Sequence, residues 1–280
     1  MDIKNGINVL SLFDGMSCGQ IALERAGIKV NNYFASEIKP HAIKVTQHNY
    51  PNTIQLGDVT KIDVSTLPKI DILIGGSPCQ DLSFANKNKD GLNGVKSMLF
   101  YEYVRIYNEL KQINPDLLFL LENVKMQKEW EDVITTELGI NPIFINSSLV
   151  SAQMRKRLYW TNIKNVSIPL DKNIELQSIL DIGGFTNKKK AFCLLESESR
   201  PQTCNWKRFR RWRKKSFVNI VFDDESLNLF RNRVLSQTEL EKLQTIPIGY
   251  TSILSRNDAA CLIGDGWTVD VISWIFSFIK

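Results

Sequence analysis

Over its first 163 residues the chain alternates short continuous apolar runs with helix-period stretches, and that rhythm leaves few folds open. Residues 7–13 form an apolar run ending in a turn of small residues, 14–19. A helical pattern over 20–26 stops at Gly27, a natural C′ glycine. Residues 32–37 read as a second strand, and Pro40 opens a helix to about Asn49. Residues 70–75 are a buried-type strand leading into Gly75-Gly76-Ser77-Pro78. The Asn/Lys/Gly-rich stretch 86–96 is loop by composition, 98–114 the next helix, and 117–121 another apolar strand ending at Glu122-Asn123. Strands this apolar have no wet face. Separated by helices, they predict an α/β fold: a mainly parallel sheet with helices on both faces.

Ligands in such sheets sit at the carboxyl ends of the strands. The polar residues there are Asp14, Glu37, Asp58, Ser77 to Gln80, and Glu122, and they converge on one crevice. Gly15 and Gly19 lie between the first strand and first helix, where glycine lets backbone approach a cofactor; a structural tight turn needs the same residues. Glu37, 22 positions after Gly15, stands where an acid bonds ribose hydroxyls, and Asp58 could accept from an adenine amino group. Strand-end and turn carboxylates are the plainer readings, but the ordered set favours an adenosyl cofactor. The loop has no Walker lysine, which argues against a triphosphate.

Cys79 follows a Gly-Gly-Ser-Pro turn and is flanked by Pro78 and polar Gln80-Asp81, which favours an activated thiolate nucleophile over a buried structural thiol. Glu122 closes a run of five apolar residues, as a half-buried carboxyl with a raised pKa or as an exposed cap. An extended 153–159 would put Arg155 and Arg157 on one face. The only histidines are His41 and His48, and the five cysteines (18, 79, 193, 204, 261) contain no C-x-x-C pair. Metal sites, disulfide frameworks and Cys–His hydrolases are therefore disfavoured, and reduced thiols in a cytoplasm are expected. The first residues carry no signal-peptide core, and no apolar run approaches the roughly 18 residues of a membrane span.

After Thr161 the rhythm fails. Residues 164–215 hold 13 Lys+Arg against 5 Asp+Glu, whereas residues 1–163 hold 17 of each. The block 207–215 interleaves bases with Phe209 and Trp212. A solvated basic surface is one reading; phosphate-backbone binding, with aromatics or Arg planes stacking on bases, is the stronger. If the block is helical, Phe209 and Trp212 share a face. Ser236 is a good N-cap for a helix over 237–243, and 267–279 reads as a last apolar helix. The expected division is a catalytic domain of 1–163 and 255–280, with a smaller domain and hinge over 164–254.

Taken in order, these pieces resemble the DNA (cytosine-5)-methyltransferase family. Phe13-Asp14-Gly15-Met16-Ser17-Cys18-Gly19 resembles its S-adenosylmethionine loop, Glu37-Ile38 the ribose-binding pair, and Gly57-Asp58-Val59 the adenine-contacting motif. Gly76-Ser77-Pro78-Cys79-Gln80 resembles the nucleophile loop, Glu122-Asn123-Val124 the ENV motif, and 153–157 the QxRxR motif. Residues 235–247 resemble the helix anchoring the target-recognition domain, and 263–269 the last cofactor motif. Phe-Asp-Gly in the first loop and Trp267 in the last motif are similar to the vertebrate de novo methyltransferase subgroup; Asp265 stands where an Asn is usual.

The resemblance implies a Rossmann-like S-adenosylmethionine-dependent methyltransferase fold with a small target-recognition domain. It implies Cys79, Glu122, Arg155 and Arg157 as catalytic residues acting on a flipped-out cytosine. It implies S-adenosyl-L-methionine held by Phe13, Asp14, Gly15, Ser17, Cys18, Gly19, Glu37, Ile38, Asp58, Val59, Pro78, Leu99, Asp265, Gly266 and Trp267. Double-stranded DNA would be met by Gln80, Ser83, Lys87, Lys89, Arg208, Arg210, Arg211 and Arg213, with 86–96 closing over the base. It further implies a monomer in the cytoplasm of a prokaryotic cell or phage-infected host, with a cognate restriction endonuclease as a functional partner, and no membrane. Two rivals stay open: methylation of transfer RNA, and a non-catalytic DNA-binding homologue.

Overall fold

The structure is a computed structural model that describes residues 5–78, 98–214, 218–228 and 230–280. They fall into two compact units, one of residues 1–145, 156–168 and 273–280, the other of 146–155 and 169–272. This division differs from the sequence expectation at both ends. Residues 255–272, expected in the catalytic domain, cluster with the second unit, as do 146–155, which carry the first half of the QxRxR motif.

The first unit is built on a seven-stranded sheet of order β3-β2-β1-β4-β5-β7-β6. The strands are β1 (Ile7–Leu12), β2 (Val30–Ser36), β3 (Ile54–Gln55), β4 (Ile72–Gly75), β5 (Leu118–Val124), β6 (Ile143–Asn146) and β7 (Lys156–Thr161). The first five pair in parallel, and β7 runs antiparallel to β5. Helices α1 (Cys18–Arg25), α2 (Pro40–Asn49), α3 (Leu99–Ile113) and α4 (Lys128–Leu138) link them.

Register explains the core. Leu10 lies beside Leu73, and Leu73 beside Phe119; one step on, Leu12, Gly75, Leu121 and Trp160 form a second row. Because side chains alternate across a strand, both rows share one face. That face is covered by Phe100, Tyr103, Ile106, Tyr107 and Leu110 of α3 and by Ile134 and Leu138 of α4. Gly75 is the small member because α3 comes down on it. A Cβ there would lie 3.0 Å from the Tyr103 ring and 3.1 Å from the Leu12 carbonyl oxygen. The sheet order reverses direction between β1 and β4, so the crevice opens at the carboxyl ends of those two strands.

The second unit is mostly irregular, with α5 (Asn205–Arg213), α6 (Gln237–Leu243), α7 (Arg256–Asp265) and the ribbon β8 (Val221–Phe222) and β9 (Asn232–Arg233). Ser236 caps α6 in a reciprocal capping box with Glu239. The last helix, α8, is Val269–Phe276. Among the described residues one stretch, Arg256–Phe276, is long and apolar enough to cross a membrane, a length not anticipated from sequence. It is broken into α7 and α8, and 61% of its most apolar window is buried, the pattern of core helices.

Candidate active site

Three loops at the carboxyl ends of β1, β2 and β3 are tied side by side. The Asp14 N–H donates to the Ser36 carbonyl at 3.0 Å and the Gly15 N–H to Glu37 Oε2 at 2.8 Å. Glu37 Oε1 accepts from the N–H groups of Ile38 and Lys39 at 2.8 and 2.9 Å. Ser36 Oγ donates to the Gly57 carbonyl at 2.7 Å. Asp14-Gly15, Glu37-Ile38 and Gly57-Asp58 thus border one cradle, although 43 residues separate its ends in sequence.

The cradle fits an adenosyl group on four counts. Gly15 has φ +61°, and nothing lies within 4 Å of where its Cβ would stand, so a side chain would fill space the turn leaves open. Glu37 has three of its roughly four acceptor positions engaged, leaving capacity for a ribose hydroxyl. Ile38 is 70% exposed, an apolar surface beside that acid. Asp58 Oδ1 accepts from the Thr60 N–H and hydroxyl at 3.0 and 2.9 Å, which holds its carboxyl below the ordinary value and leaves Oδ2 for an amino group. Other expected residues turn partly or wholly toward the core. Val59 is 5% exposed within the apolar core, because the turn after Asp58 rolls it inward, and Leu99 and Phe13 pack against that core. Cys18 and Gly19 are buried at the start of α1.

Phe13 and Ser17 both adopt positive φ, 57° and 60°, an uncommon conformation for residues with side chains. What over-determines it is Asp14, whose carboxylate accepts from Ser17 Oγ and, at 2.7 Å, from Tyr33 Oη. Burial pushes the Asp14 carboxyl up from 3.8 to about 6, against the opposing pull of these hydrogen bonds. A group that binds its proton more tightly when folded makes stability fall as pH rises between the two values. The cost of ionised Asp14 is therefore fully present above about 6 and relieved as pH falls toward 3.8. Denaturant unfolding between pH 4 and 7 should show wild type gaining on Asp14→Asn as pH falls, by at most about 3 kcal/mol. A pH-independent difference would show that Asp14 is not protonated in that range.

On the opposite side of the crevice, Glu122 and Arg157 meet although 35 residues apart. In the β5–β7 ladder Glu122 faces Tyr159 and Val124 faces Arg157, so Glu122 and Arg157 are diagonal neighbours on one face. That face is the reverse of the one packed by α3, since Glu122 follows Leu121. Arg157 Nε comes within 2.7 Å of Glu122 Oε1, with the side chains 12% and 11% exposed. The N–H is not aimed at that oxygen, and Glu122 Oε1 is buried without an aligned hydrogen bond among the described residues. Next to Glu122, Asn123 points the other way and donates to Ser77 Oγ and its carbonyl at 3.1 and 3.4 Å. This bond fixes the turn ending in Pro78; sequence reasoning finds Asn123 only as part of a motif and misses its role.

Arg155 takes a different course. It belongs to the second unit, is 3% exposed, and donates to the carbonyls of Leu194, Gly264 and Gly266 at 3.2, 3.2 and 2.9 Å. The expectation that it lies beside Arg157, turned to the same substrate, is corrected: the strand begins only at Lys156, and Arg155 is drawn into buried carbonyls.

Comparison with known proteins gives the family and the fold. The profile of C-5 cytosine-specific DNA methylases matches residues 7–179. The chain belongs to this family. Its curated relatives include the type II methyltransferase M.NlaIV of Neisseria lactamica, 38% identical over 123 residues, 42% of this chain and 28% of that protein. Another is the orphan methyltransferase M.SPRI of Bacillus phage SPR, 39% identical over 121 residues, 42% of this chain and 26% of that protein. The matched part thus spans about a quarter of the length of these relatives. Among solved structures, the Entamoeba histolytica methyltransferase EhMeth superposes with a TM-score of 0.73 at 17% identity, covering 98% of this chain and 97% of that one. A DNMT2 mutant of Spodoptera frugiperda gives 0.65 at 18% identity, covering 98% and 99%. At such identity these show a shared fold, that of a mainly parallel methyltransferase sheet.

Of the remaining residues expected from the family, Cys79, Gln80, Ser83, Lys87, Lys89 and the rest of the loop 86–96 lie outside the described residues. Asp265, Gly266 and Trp267 sit at the end of α7 in the second unit.

The basic block is helical over Asn205–Arg213, and two expectations about it are corrected. Phe209 and Trp212 share a face, as a helix requires, but it is the inner one: their rings pack on Phe222 at centroid distances of 6.3 and 5.4 Å. They are not presented to stack on bases. Arg208 has all five donors engaged within the unit. Its Nε and Nη2 donate to the side chain and carbonyl of Asn232, Nη2 also to Asn205 Oδ1, and Nη1 to the carbonyls of Gln202 and Thr203. It clamps α5 to β9. Lys207, Arg210, Arg211, Arg213 and Lys214 are the exposed cations.

Proposed function

We propose that this protein transfers a methyl group from S-adenosyl-L-methionine to carbon 5 of a cytosine flipped out of double-stranded DNA. The observation that carries the reading is the Glu122–Arg157 pair, with Glu122 buried and Arg157 half-buried at a strand end next to the turn that leads into Cys79. A carboxyl and a guanidinium on one sheet face can hold N3 and O2 of a pyrimidine together; neither alone would orient the ring. A stacked base is unreachable, so the cytosine must leave the helix.

In this reading the Cys79 thiolate adds to C6, and the electron pair displaced from the C5–C6 bond is accommodated by a proton from Glu122 at N3 and by Arg157 at O2. S-adenosyl-L-methionine, when bound, supplies an electrophilic methyl group. Loss of the C5 proton then restores the double bond and expels Cys79. Glu37 would hold the donor's ribose, Asp58 the adenine amino group, and Ile38 the face of the base, with Gly15 leaving room for the backbone of the loop to approach.

The test incubates the purified full chain with labelled S-adenosyl-L-methionine and duplex DNA, transfer RNA, or DNA carrying 5-fluorocytosine. Label is expected on duplex DNA, and a protein–DNA adduct on the fluorinated duplex, where the C5 substituent cannot leave. Label on transfer RNA alone would move the substrate to RNA. No label and no adduct would leave only a binding protein.

The exposed face of α5 is read as a surface for phosphates, since dense charge gives affinity without sequence information. Neutralising Lys207, Arg210, Arg211 and Arg213 together should weaken binding to matched and unmatched DNA alike. The slope of log affinity against log salt should fall by about 0.9 for each phosphate that the variant no longer neutralises. An unchanged slope with an altered methylation site would make the helix a reader of bases.

A further inference from the structure

Phe209 and Trp212 are the aromatics that α5 turns inward. Trp206, on the same helix, stays 50% exposed, and Phe230, in the second unit with it, 69%. Among the described residues these two are the exposed aromatics of that unit; the rest of its exposed large apolar side chains are aliphatic. Trp206 stands one residue before the run of cations, so charge pattern does not single it out.

Asn205 joins the two. Its Nδ2 donates to the Phe230 carbonyl at 2.6 Å, and its carbonyl accepts from Asn232 Nδ2 at 3.3 Å. The Asn228 side chain accepts from the Phe230 N–H, and the Asn228 carbonyl from the Arg231 N–H, both at 2.9 Å. The first turn of α5 and the turn carrying Phe230 are therefore tied together, and each exposed ring stands on a backbone that is held.

Positions 206, 210 and 213 are i, i+4 and i+7 of the helix, so Trp206 lies in one row with the exposed Arg210 and Arg213. Asp224, in the turn before Phe230, is taken up by the Ser226 N–H at 3.0 Å and by Arg231 at 4.0 Å. Single exposed apolar residues need no explanation, but two linked rings beside a row of cations do. A second copy of the same helix would bring like charges together. A polyanion that also carries flat apolar groups suits the surface better: phosphates meet the cations, and bases meet the rings.

We propose that Trp206 and Phe230 form an aromatic wedge that inserts at a base step of duplex DNA, with Arg210 and Arg213 on the phosphates beside it. The proposal rests on the reading of α5 as a phosphate surface and adds a contact with bases that cations alone do not make. The stacking expected of Phe209 and Trp212 passes to the two rings that the fold leaves outside.

Binding of the full chain to a fluorescein-labelled duplex is followed by anisotropy over a series of salt concentrations. The variants are Trp206→Ala, Trp206→Phe, Phe230→Ala and Arg210→Gln, with the thermal midpoint and sedimentation of each. Trp206→Ala and Phe230→Ala should each weaken binding about tenfold. Their salt slope should not change, because a ring releases no counterions. Trp206→Phe should keep most of the affinity while losing the quenching of indole emission that DNA causes in wild type. Arg210→Gln should lower the slope by about 0.9. If both alanine variants bind as wild type does while Arg210→Gln loses slope, the inference fails and the phosphate surface stands. If the alanine variants weaken while Arg210→Gln keeps its slope, the phosphate reading of Arg210 fails and the ring contact stands. Alanine variants that bind DNA normally but change from dimer to monomer would make the patch a face for a second copy and overturn the wedge. Weakened binding with lowered midpoints, not restored in Trp206→Phe, would make the rings structural and overturn it too.

Discussion

Replacing Cys79 with serine is expected to reduce methyl transfer by at least about 10³-fold while donor affinity stays within about twofold. The asymmetry follows from the chemistry. Addition to C6 needs an ionised nucleophile that is also a good leaving group when the C5 proton departs; a thiolate is both, whereas a serine hydroxyl needs an adjacent base. The two histidines are no substitute, since both lie on α2. The cradle proposed for the donor, by contrast, is built from loops after β1, β2 and β3, none of which contains Cys79. Filter binding of labelled methyl groups on duplex DNA, with calorimetry of the donor, reads both halves. Turnover by the serine variant at the wild-type rate would remove Cys79 from the reaction.

Much of the first unit is legible in the sequence because its signals are local. Each apolar run between residues 7 and 121 forms a strand, since a run too apolar for a wet face has nowhere else to go. The carboxyl-end residues Asp14, Glu37 and Asp58 converge, as the strand rhythm predicts, because β1, β2 and β3 are neighbours. The meeting of Glu122 with Arg157 is not legible from residue pattern: it depends on β7 pairing antiparallel to β5 in one register, a choice no local pattern records.

Where partners come from far along the chain, sequence pattern misleads. Alternation puts Arg155 with Arg157, but the carbonyls that capture Arg155 belong to Leu194, Gly264 and Gly266. Seven cations among nine residues mark 207–215 as a charged surface, and charge density cannot say which arginine a helix turns inward. Asn232, 24 positions away, decides that for Arg208. The placing of 255–272 differs from the expectation for the same reason, since the residues α7 packs against come from distant parts of the second unit.

The Glu122–Arg157 pair carries the other large expected effect, and its two members should fail in different ways. Arg157→Ala leaves a carboxylate that is 8% exposed without its cation, and unpairing a buried charge costs about 3–5 kcal/mol of stability. Glu122→Gln keeps the volume and removes the charge, so it should cost less in stability. It also removes the proton offered to N3, and methyl transfer should fall by about 10²–10⁴-fold. Combining the two changes separates the contributions. The double variant should unfold at higher urea than Arg157→Ala alone, because the uncompensated carboxylate is gone, yet its methyl transfer should be no better than that of either single variant. Recovery of stability without recovery of activity is what a pair that both supports the strand end and acts on the base requires. Should Arg157→Ala unfold at the wild-type midpoint, the 2.7 Å approach contributes nothing to the fold. Should Glu122→Gln also methylate duplex DNA at the wild-type rate, the pair is neither acid nor anchor, and the proton for N3 must come from elsewhere in the crevice.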